Sequence, residues 1–575
     1  MTTTRAASAN RPPEPHFRNL FQADPLAEAL FGGWLGRHWS EFRPIFDAMG
    51  RAGAVAQPLA MAADAHRPTL LRGEPGQRIP DRIAYSSEAE ALEDLAYATG
   101  LVRRRNDLDF LVRHGARRNL VSVGCGYYFA QTEIGIMCQV CMTDGVGAIL
   151  ERYAPNDLAR SVLPRLGHPE RSLRLRGAMF LSEAQGGSDI GTIATTAAPH
   201  GDTWRLNGEK CFCSNVDAEA ILVLARMPDG PPGTKGLGLF LVLRDDPPGN
   251  GTTLRIRQLR HKLGVGSTPL GDVLLQDTAA HLIAEAPDGF KRMAEMINLT
   301  RLYNAAASLA GMRRALLEAL AYGAERRAFG RRLWELPLWR AGLADLVAEH
   351  LGAVALTFAA VQSLDLAQQG NQAAEKEARL LIPLAKAVTG KLAVFGVSEC
   401  MEAVGGVGYL EERILARLLR DVQVLPIWEG TTHILTLDVA RALIRERAHE
   451  ALFDRLTRAL AAAAQEAPGS SALRDGVEQR IARDTQALAG LGTASPDDAQ
   501  RGMRAWVESA GRTATLAFLL EMSRLPGMQA PAIAAFQRID ARPYPVVPLA
   551  SFSAVALKDT EEILLRAGFA GPSAG

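Results

Sequence analysis

Apolar residues recur at helical spacing over two long parts of the chain. The first runs from about residue 24 to 175 and contains Ser86, which is followed by Glu88 and is typical of a capped helix start. The second runs from about residue 288 to 447, where apolar positions three and four residues apart form continuous faces. Helices of this length can form a bundle. Their predicted apolar stretches include Leu309, Met312, Leu316, Leu317 and Leu320, then Leu338–Gln369 and Glu375–Leu392.

Short apolar runs separated by turns lie between the two helical parts. They begin after Arg176 and continue for about 100 residues, which predicts a small β-barrel or sandwich. Asn207-Gly208 predicts a hairpin turn that divides one run into two strands. The other predicted strands are Met179–Leu181, Ala220–Ala225, Leu237–Leu243 and Val273–Leu275.

The order of these patterns predicts a mainly α protein of the α+β class. A chain of 575 residues allows roughly three or four domains. An Ala-rich helical stretch follows the predicted bundle and is interrupted at Pro468–Ser471 and Gly490–Pro496. The predicted domains are an N-terminal extension (1–40), an N-terminal α-domain (41–175), a middle β-domain (176–286), a C-terminal helix bundle (287–446) and a helical extension (447–575).

The composition of the chain excludes a strong electrostatic attraction to a partner through its net charge. The chain has 64 basic and 63 acidic residues, a formal net charge of +1, so it carries no overall attraction to nucleic acid or to an anionic membrane. No apolar run reaches the ~18 residues that a membrane span requires, and Met1–Pro15 lacks the apolar core of a secretory signal. We therefore expect a cytoplasmic protein that does not enter the membrane.

Six cysteines raise the question of a metal site. Cys138-x-x-Cys141 and Cys211-x-Cys213 resemble half-sites for zinc, but neither has the further ligands that zinc requires. The first pair lies in an apolar helical run and the second alternates as in a strand. We expect buried thiols and no metal.

Two segments of the predicted β-domain contain candidate ligand-binding residues. The Gly-rich loop Ser182–Asp189 follows an apolar strand, and its backbone N–H groups suit a pyrophosphate, although the pattern also fits a plain turn. It is not GxGxxG and opens no βαβ unit, which disfavours a Rossmann site. In Lys210–Asn215, Phe212 and Ser214 could wall a flat ring, or Phe212 could be an ordinary core residue of an edge strand.

Two further segments of this kind lie in the predicted bundle. Glu325–Arg331 ends a long helix with arginines and a glycine, which suits a helix C-terminus and also a phosphate partner. After the glycine cluster of Glu402–Tyr409, Glu429 lies between the apolar Leu425–Trp428 run and a Gly-Thr-Thr turn. Such surroundings should raise the pKa of its carboxyl toward neutrality, as suits a general base. A surface acid near a helix start is the equal alternative.

Taken together, these four segments resemble the acyl-CoA dehydrogenase family over roughly residues 85–446, in order and in separation. The likeness is greatest to its AidB-like branch, which carries Trp before the catalytic Glu. The residues that resemble this branch are Leu70-Leu71-Arg72, Thr300-Arg301, Met401-Glu402 and Ile427-Trp428-Glu429-Gly430.

The resemblance implies an FAD site shared between subunits, and hence a homotetramer built as a dimer of dimers. It implies that Glu429 is the catalytic base and that Arg301 lies beside it, positioning Glu429 or the flavin. Phe212 stands where many family members have Trp. The implied FAD contacts are Leu181 and Ser182 at the flavin ring, Gly187 and Ser188 at the pyrophosphate, Phe212, Ser214 and Thr431 around the isoalloxazine, and Arg326, Phe329, Glu402, Val404, Gly405 and Gly406 across the subunit interface.

The implied reaction is α,β-desaturation of an acyl-CoA or related thioester. Glu429 removes the α-proton, FAD accepts the hydride, and an electron-transfer flavoprotein or similar acceptor reoxidises it. Two alternatives accompany this fold. One is a flavoprotein that binds DNA in an alkylation response, which roughly 16 basic against 15 acidic residues from Arg441 to Gly575 disfavour. The other is a flavin oxidase or monooxygenase.

Overall fold

The computed structural model describes residue 12 and residues 14–73, 81–102, 117–245, 254–466 and 471–542. The predicted domains 1–40 and 447–575 therefore lie partly outside the described residues. Within them, the architecture follows the predicted order of helices, a β-domain, a helix bundle and a helical extension.

The N-terminal part consists of helices around one two-stranded ribbon. Ser86 caps the third helix as predicted, because its hydroxyl accepts a hydrogen bond from the backbone N–H of Ala89 at 3.2 Å. The domain boundary expected at residue 40 falls inside the second helix, and Leu20 and Phe21 are buried in the same core. In chain order the elements are α1 (Ala27–Leu35), α2 (Trp39–Ala65), β1 (Thr69–Leu71), β2 (Arg82–Ala84), α3 (Ser87–Ala98), α4 (Arg118–Ala130), α5 (Ile134–Tyr153) and α6 (Asn156–Val162).

The middle domain is a β-barrel with its own apolar interior. Its strands are β3 (Gly177–Phe180), β4 (Thr196–His200), β5 (Thr203–Ser214), β6 (Ala220–Arg226), β7 (Leu237–Leu243), β8 (Arg255–Leu259) and β9 (Leu270–Ala284). The pairing runs β6–β4–β5–β9–β7 and returns to β6, which closes the ring. Strand β3 pairs in parallel with β6, and β8 pairs with β9. Phe180, Phe240 and Val273 are among the side chains that fill the interior.

The hairpin predicted at Asn207-Gly208 is wrong. Strand β5 continues through both residues, and a bulge between Leu206 and Gly208 accommodates them. The physical reason lies in β9, whose 15 residues offer β5 an unbroken partner. The local turn preference yields to this pairing.

The bundle consists of helices that pack mainly on α9. Its elements are α7 (Gly289–Glu325), the two-residue strands β10 (Arg327–Ala328) and β11 (Arg331–Arg332), α8 (Pro337–Ala367), α9 (Gln372–Val404), α10 (Ile414–Val422) and α11 (Thr432–Glu446). Helices α7, α8, α11 and α10 all contact α9. Gly405, at φ +78°, ends α9 as the predicted glycine break. The sequence pattern predicts Gly330 as the cap of α7, and this is wrong. Helix α7 ends at Glu325, and Gly330 lies in the turn between β10 and β11.

The extension packs on the bundle. Its helices are α12 (Ala448–Glu466), α13 (Ser471–Thr493), α14 (Pro496–Met522) and α15 (Gln529–Asp540). Helix α14 buries Leu516, Phe518 and Leu519, and α14 and α15 both contact α8. The extension thus shares the apolar core of the bundle, which also includes residues of the N-terminal part.

Three helices among the described residues are long and apolar enough to cross a membrane by length and composition, contrary to the expectation from apolar runs. They span Ile134–Tyr153, Pro337–Ala367 and Gln372–Tyr409. Their most apolar windows are 83%, 78% and 78% buried inside the protein. The apolar surface of these helices is therefore already covered by the fold, as in the core of a large globular protein.

Candidate functional site

Glu429 lies in the short turn between α10 and α11. Glu429 and Gly430 both adopt left-handed backbone conformations, with φ of +57° and +97°. Such a conformation is unfavourable for a residue with a side chain and persists where surrounding contacts enforce it. The turn ends at Thr431, whose hydroxyl caps α11 by accepting from the N–H of Ile434 at 3.4 Å.

The Glu429 carboxylate has one hydrogen-bond donor from the neighbouring bundle helix. The Thr300 hydroxyl donates to Oε2 of Glu429 at 2.8 Å. Burial raises the pKa of Glu429 above its ordinary value, against the opposing hydrogen bond from Thr300 and the charges of Arg301 and Lys386. This confirms the raised pKa that its apolar sequence context predicts.

Two cationic side chains hold the backbone of this turn. Arg301 donates from Nε to the carbonyl oxygen of Glu429 at 3.1 Å, and Lys386 donates from Nζ to the carbonyl oxygen of Gly430 at 2.5 Å. Arg301 also pairs with Asp438 at 2.7 Å. The structure thus places Arg301 against the Glu429 backbone, within the site where it was expected.

Lys386 and Asp438 were missed by the sequence reasoning. Lys386 is a lone cation within the apolar run Leu380–Ala387, and a lone charge on a buried helix is a signal that could have found it. Asp438 lies on an ordinary amphipathic helix, and its sequence context carries no comparable signal.

The Gly-rich loop and the aromatic strand of the barrel lie side by side. The backbone N–H of Cys211 donates to the carbonyl of Ser182 at 2.8 Å, which joins the start of the loop to β5. One residue further along β5, Phe212 has φ +55° and is 66% exposed, so it is not the core residue of the alternative interpretation. Leu181 and Ser214 are partly buried nearby in sequence, whereas Gly187 and Ser188 are exposed.

A buried ion pair anchors this loop. Lys210 donates to Glu183 at 2.6 Å, and Glu183 also accepts from the backbone N–H of Ala194 at 2.7 Å and from the hydroxyl of Thr195 at 2.5 Å. Burial would raise the pKa of Glu183, but the charge and hydrogen bonds of Lys210 and Thr195 lower it to about 2. Glu183 is therefore a fixed anion that orders the loop.

A third group of predicted residues lies at one end of the bundle. The β10–β11 hairpin carries Arg326 at its base and Phe329 at its tip, where Phe329 is 92% exposed. Trp339 at the start of α8 donates its indole N–H to the carbonyl of Ala403 at 3.0 Å. This contact brings the segment after the hairpin to the end of α9, where the predicted Glu402, Val404, Gly405 and Gly406 lie.

The described residues contain no group of three or more His, Cys, Asp or Glu side chains arranged to hold a metal ion. Cys141 lies on α5, where its thiol donates to the carbonyl of Cys138 at 3.1 Å, and Cys211 and Cys213 lie on β5. Burial raises the pKa of Cys213 well above its ordinary value, which keeps this thiol protonated.

Both the barrel and the bundle match domains of a known protein family. Residues 178–278 match the acyl-CoA dehydrogenase middle domain, and residues 287–444 match the acyl-CoA dehydrogenase C-terminal domain. Acyl-CoA dehydrogenase family member 11 of Caenorhabditis elegans is 32% identical over 445 residues, which cover 74% of this chain and 71% of that protein. The chain belongs to the acyl-CoA dehydrogenase family, whose members are FAD-dependent oxidoreductases.

Two further comparisons bear on the AidB-like branch of the family and on the architecture of the full chain. AidB of Escherichia coli (strain K12) is 34% identical over 326 residues, which cover 55% of this chain and 59% of AidB. The crystal structure of Caenorhabditis elegans ACDH-11 in complex with C11-CoA has a TM-score of 0.87 and 26% identity, with 100% of both chains covered. The family likeness predicted from the four segments is confirmed, and the shared architecture includes the helical extension.

The residues of this acyl-CoA dehydrogenase family member fit FAD. Phe212 presents an exposed aromatic ring beside the Ser182 loop, as a flavin wall requires. The indole N–H of Trp428 is buried without a hydrogen-bond partner among the described residues. A Cβ at Gly405 or Gly406 would meet no described atom within 4 Å, because both glycines lie on the open surface.

Proposed function

We propose that this protein is an FAD-dependent acyl-CoA dehydrogenase that converts an acyl-CoA thioester to its trans-2-enoyl product. The observation that carries the proposal is the Glu429 carboxylate, which has a raised pKa and lies in a turn held from two sides. A base of this kind is better matched to neutral pH than an ordinary carboxylate. The likeness to ACDH-11 in complex with C11-CoA supports a CoA thioester as the substrate.

In the proposed reaction Glu429 removes the proton from the α-carbon. Its backbone N–H would donate to the thioester carbonyl and stabilise the negative charge that develops on that oxygen. FAD, when bound, would supply the acceptor for the hydride that leaves the β-carbon. Loss of both hydrogens leaves the double bond between the two carbons. Leu181, Ser182, Ser214 and Thr431 would hold the flavin ring against this site, with Gly187 and Ser188 at its pyrophosphate.

The proposal extends to a homotetramer in which neighbouring subunits share FAD. Phe329 and Tyr409 are 92% and 78% exposed. Phe329 lies in the β10–β11 hairpin and Tyr409 lies just after α9, and the Trp339–Ala403 hydrogen bond brings these two regions together. Exposed aromatic side chains of this size are typical of a surface that a partner subunit covers. An electron-transfer flavoprotein or similar acceptor would reoxidise the enzyme. Light scattering on the purified protein would give the number of subunits.

Anaerobic titration of the FAD-loaded protein with acyl-CoAs of increasing chain length tests the proposed activity. We expect the flavin absorbance to bleach with at least one chain length and one equivalent of enoyl-CoA to form. Dithionite provides the control for a reducible flavin. A flavin that dithionite reduces but that no acyl-CoA bleaches would contradict the proposal.

The alternative of DNA binding receives little support from the extension. Three of the arginines that could form a basic patch are ion-paired with neighbouring carboxylates: Arg447 with Glu450, Arg501 with Asp498 and Arg504 with Glu508. A salt-dependent shift of duplex DNA would favour this alternative. For the oxidase alternative, reoxidation of the reduced enzyme by air within milliseconds would be the corresponding result.

A further inference from the structure

The turn that carries Glu429 is held by two cations that differ in their surroundings. Arg301 holds the carbonyl of Glu429 and also has a carboxylate partner in Asp438. Lys386 holds the carbonyl of Gly430 and makes no ion pair among the described residues. The two carbonyls belong to consecutive residues with positive φ, so each cation fixes one peptide of the left-handed turn.

Lys386 is too deeply buried to be an ordinary surface lysine. It is 1% exposed, on the apolar α9, where an ammonium without a counter-ion is costly to bury. The charged groups that act on it are Glu429 on the turn, Arg301 on α7 and Lys391 on its own helix, of which only Glu429 favours the charged ammonium. Burial lowers the pKa of Lys386 to about 7, so its charge depends on Glu429. A buried cation of this kind costs stability, and perturbed titratable groups of this kind cluster at functional sites.

We propose that Lys386 is a positioning residue for Glu429, which anchors the Gly430 carbonyl and thereby aims the carboxylate at the substrate. This rests on the proposed role of Glu429 as the base. The ammonium also contributes a positive charge that opposes protonation of Glu429. Loss of the ammonium would therefore both loosen the turn and raise the pH at which Glu429 becomes a carboxylate.

The variant Lys386→Met keeps the length of the side chain and removes both the charge and the donor. With FAD retained, we expect kcat to fall by roughly 10- to 100-fold while KM changes little, because a misaimed base lowers the chemical step. The acidic limb of the kcat/KM profile should move up by about one pH unit, since an opposite charge near a carboxylate lowers its pKa by that order. Lys386→Arg restores the cation and should recover part of the rate.

Lys376→Met is the matched control, because it removes an exposed lysine from the same helix that does not act on Lys386 or Glu429. We expect its kcat and acidic limb to stay close to those of the wild type. A Lys386→Met flavoprotein with wild-type kcat would overturn the proposal, and so would a reduced kcat with an unmoved acidic limb, which indicates a merely structural role. If Lys386→Met does not fold, the position of the acidic limb of the kcat/KM profile of Lys386→Gln provides the same test.

A readout that needs no turnover separates this proposal from the proposed function. Infrared difference spectra against Glu429→Gln identify the carboxyl band of Glu429, and its pH titration reports the proton affinity directly. We expect the titration of Lys386→Met to lie at higher pH than that of the wild type, even if no acyl-CoA bleaches the flavin. Coincident titrations would overturn the role of Lys386 and leave the acyl-CoA titration to decide the activity.

Discussion

Two glutamates of this protein lie near cations, and their pKa values are shifted in opposite directions. Glu183 in the barrel accepts hydrogen bonds from Lys210, Ala194 and Thr195, and its pKa is lowered to about 2. Glu429 in the bundle has one hydroxyl donor on its carboxylate, and burial raises its pKa. Burial alone would raise both.

The difference lies in where the nearby cations direct their hydrogen bonds. Lys210 donates to the carboxylate of Glu183 itself, which fixes the charged form. Arg301 and Lys386 instead donate to backbone carbonyls of the Glu429 turn. The backbone is held while the carboxylate stays free to gain and lose a proton, as a general base requires. The same residue type thus serves as a structural anion in one domain and as a candidate base in the other.

The largest effect short of removing Glu429 is expected for Arg301→Met. Without the arginine, the Glu429 carbonyl loses its donor and Asp438 loses one partner. We expect kcat/KM to fall by about 100-fold with FAD retained, because small misplacements of a catalytic group have effects of this order. Steady-state kinetics measure it. Arg379→Met removes the other arginine on Asp438 without touching the turn, and an equal loss in that control would refute the positioning role of Arg301.

Glu183→Gln should lower stability, in contrast to the isosteric Glu429→Gln. It leaves Lys210 buried without its counter-ion, which costs about 3 kcal/mol or more in the free energy of unfolding. Calorimetry should give a lower Tm, and the double variant Glu183→Gln/Lys210→Met should recover much of the loss. Recovery is the decisive part, since a double variant no better than the single one would mean that the buried charge is not the cause.

The same variant changes the acid response. The folded-state pKa of Glu183 is lowered from 4.5 to about 2, so its contribution to stability is complete above about pH 4.5 and is lost as the pH falls toward 2. Wild type and Glu183→Gln should therefore differ most in Tm near neutrality and converge in acid. A constant difference in Tm from pH 7 to pH 3 would contradict this linkage.

Thr300→Val is expected to have a smaller and differently shaped effect. It removes the hydroxyl that donates to the Glu429 carboxylate and keeps the shape of the side chain. A donor to a carboxylate favours its charged form, so its loss should raise the pKa of Glu429 further. We expect the acidic limb of kcat/KM to move up by up to about one pH unit, with the rate above the limb little changed. A limb that moves down would be inconsistent with this hydrogen bond.

The smallest effect concerns Gly405 and its neighbour Gly406. Gly405 has φ +78°, so Gly405→Ala should lower the free energy of unfolding by about 1 kcal/mol, whereas Gly406→Ala should not. A Cβ at Gly406 meets no described atom within 4 Å, so within one chain it has nothing to disturb. If Gly406→Ala nevertheless releases FAD or dissociates subunits, the space belongs to a ligand or a partner subunit. Flavin content and light scattering distinguish these outcomes.

Periodicity predicted the order of the domains because the apolar faces of α7, α8 and α9 are long and regular. It failed at Asn207-Gly208, since a turn preference within two residues competes with pairing to a strand of 15 residues that lies far away in sequence. The boundary expected at residue 40 falls inside α2, and Leu20 and Phe21 pack in the same core as the residues that follow.

The site was predictable where local sequence sets the chemistry. Apolar neighbours of Glu429 predicted its raised pKa, which the structure confirms. The carbonyl contacts of Lys386 could not be predicted, because they depend on how α9 packs against a turn on another segment. The exposure of Phe212 likewise depends on its positive φ, which the alternating strand pattern does not predict.

The most direct test of Glu429 as the base is anaerobic flavin bleaching by acyl-CoA in Glu429→Gln that retains its FAD. The amide keeps the size of the side chain and cannot accept the α-proton. We predict that an acyl-CoA that bleaches the wild-type flavin leaves the variant oxidised, or slows bleaching by about 10²- to 10⁴-fold, while dithionite reduces both. Bleaching of Glu429→Gln at the wild-type rate would contradict the account.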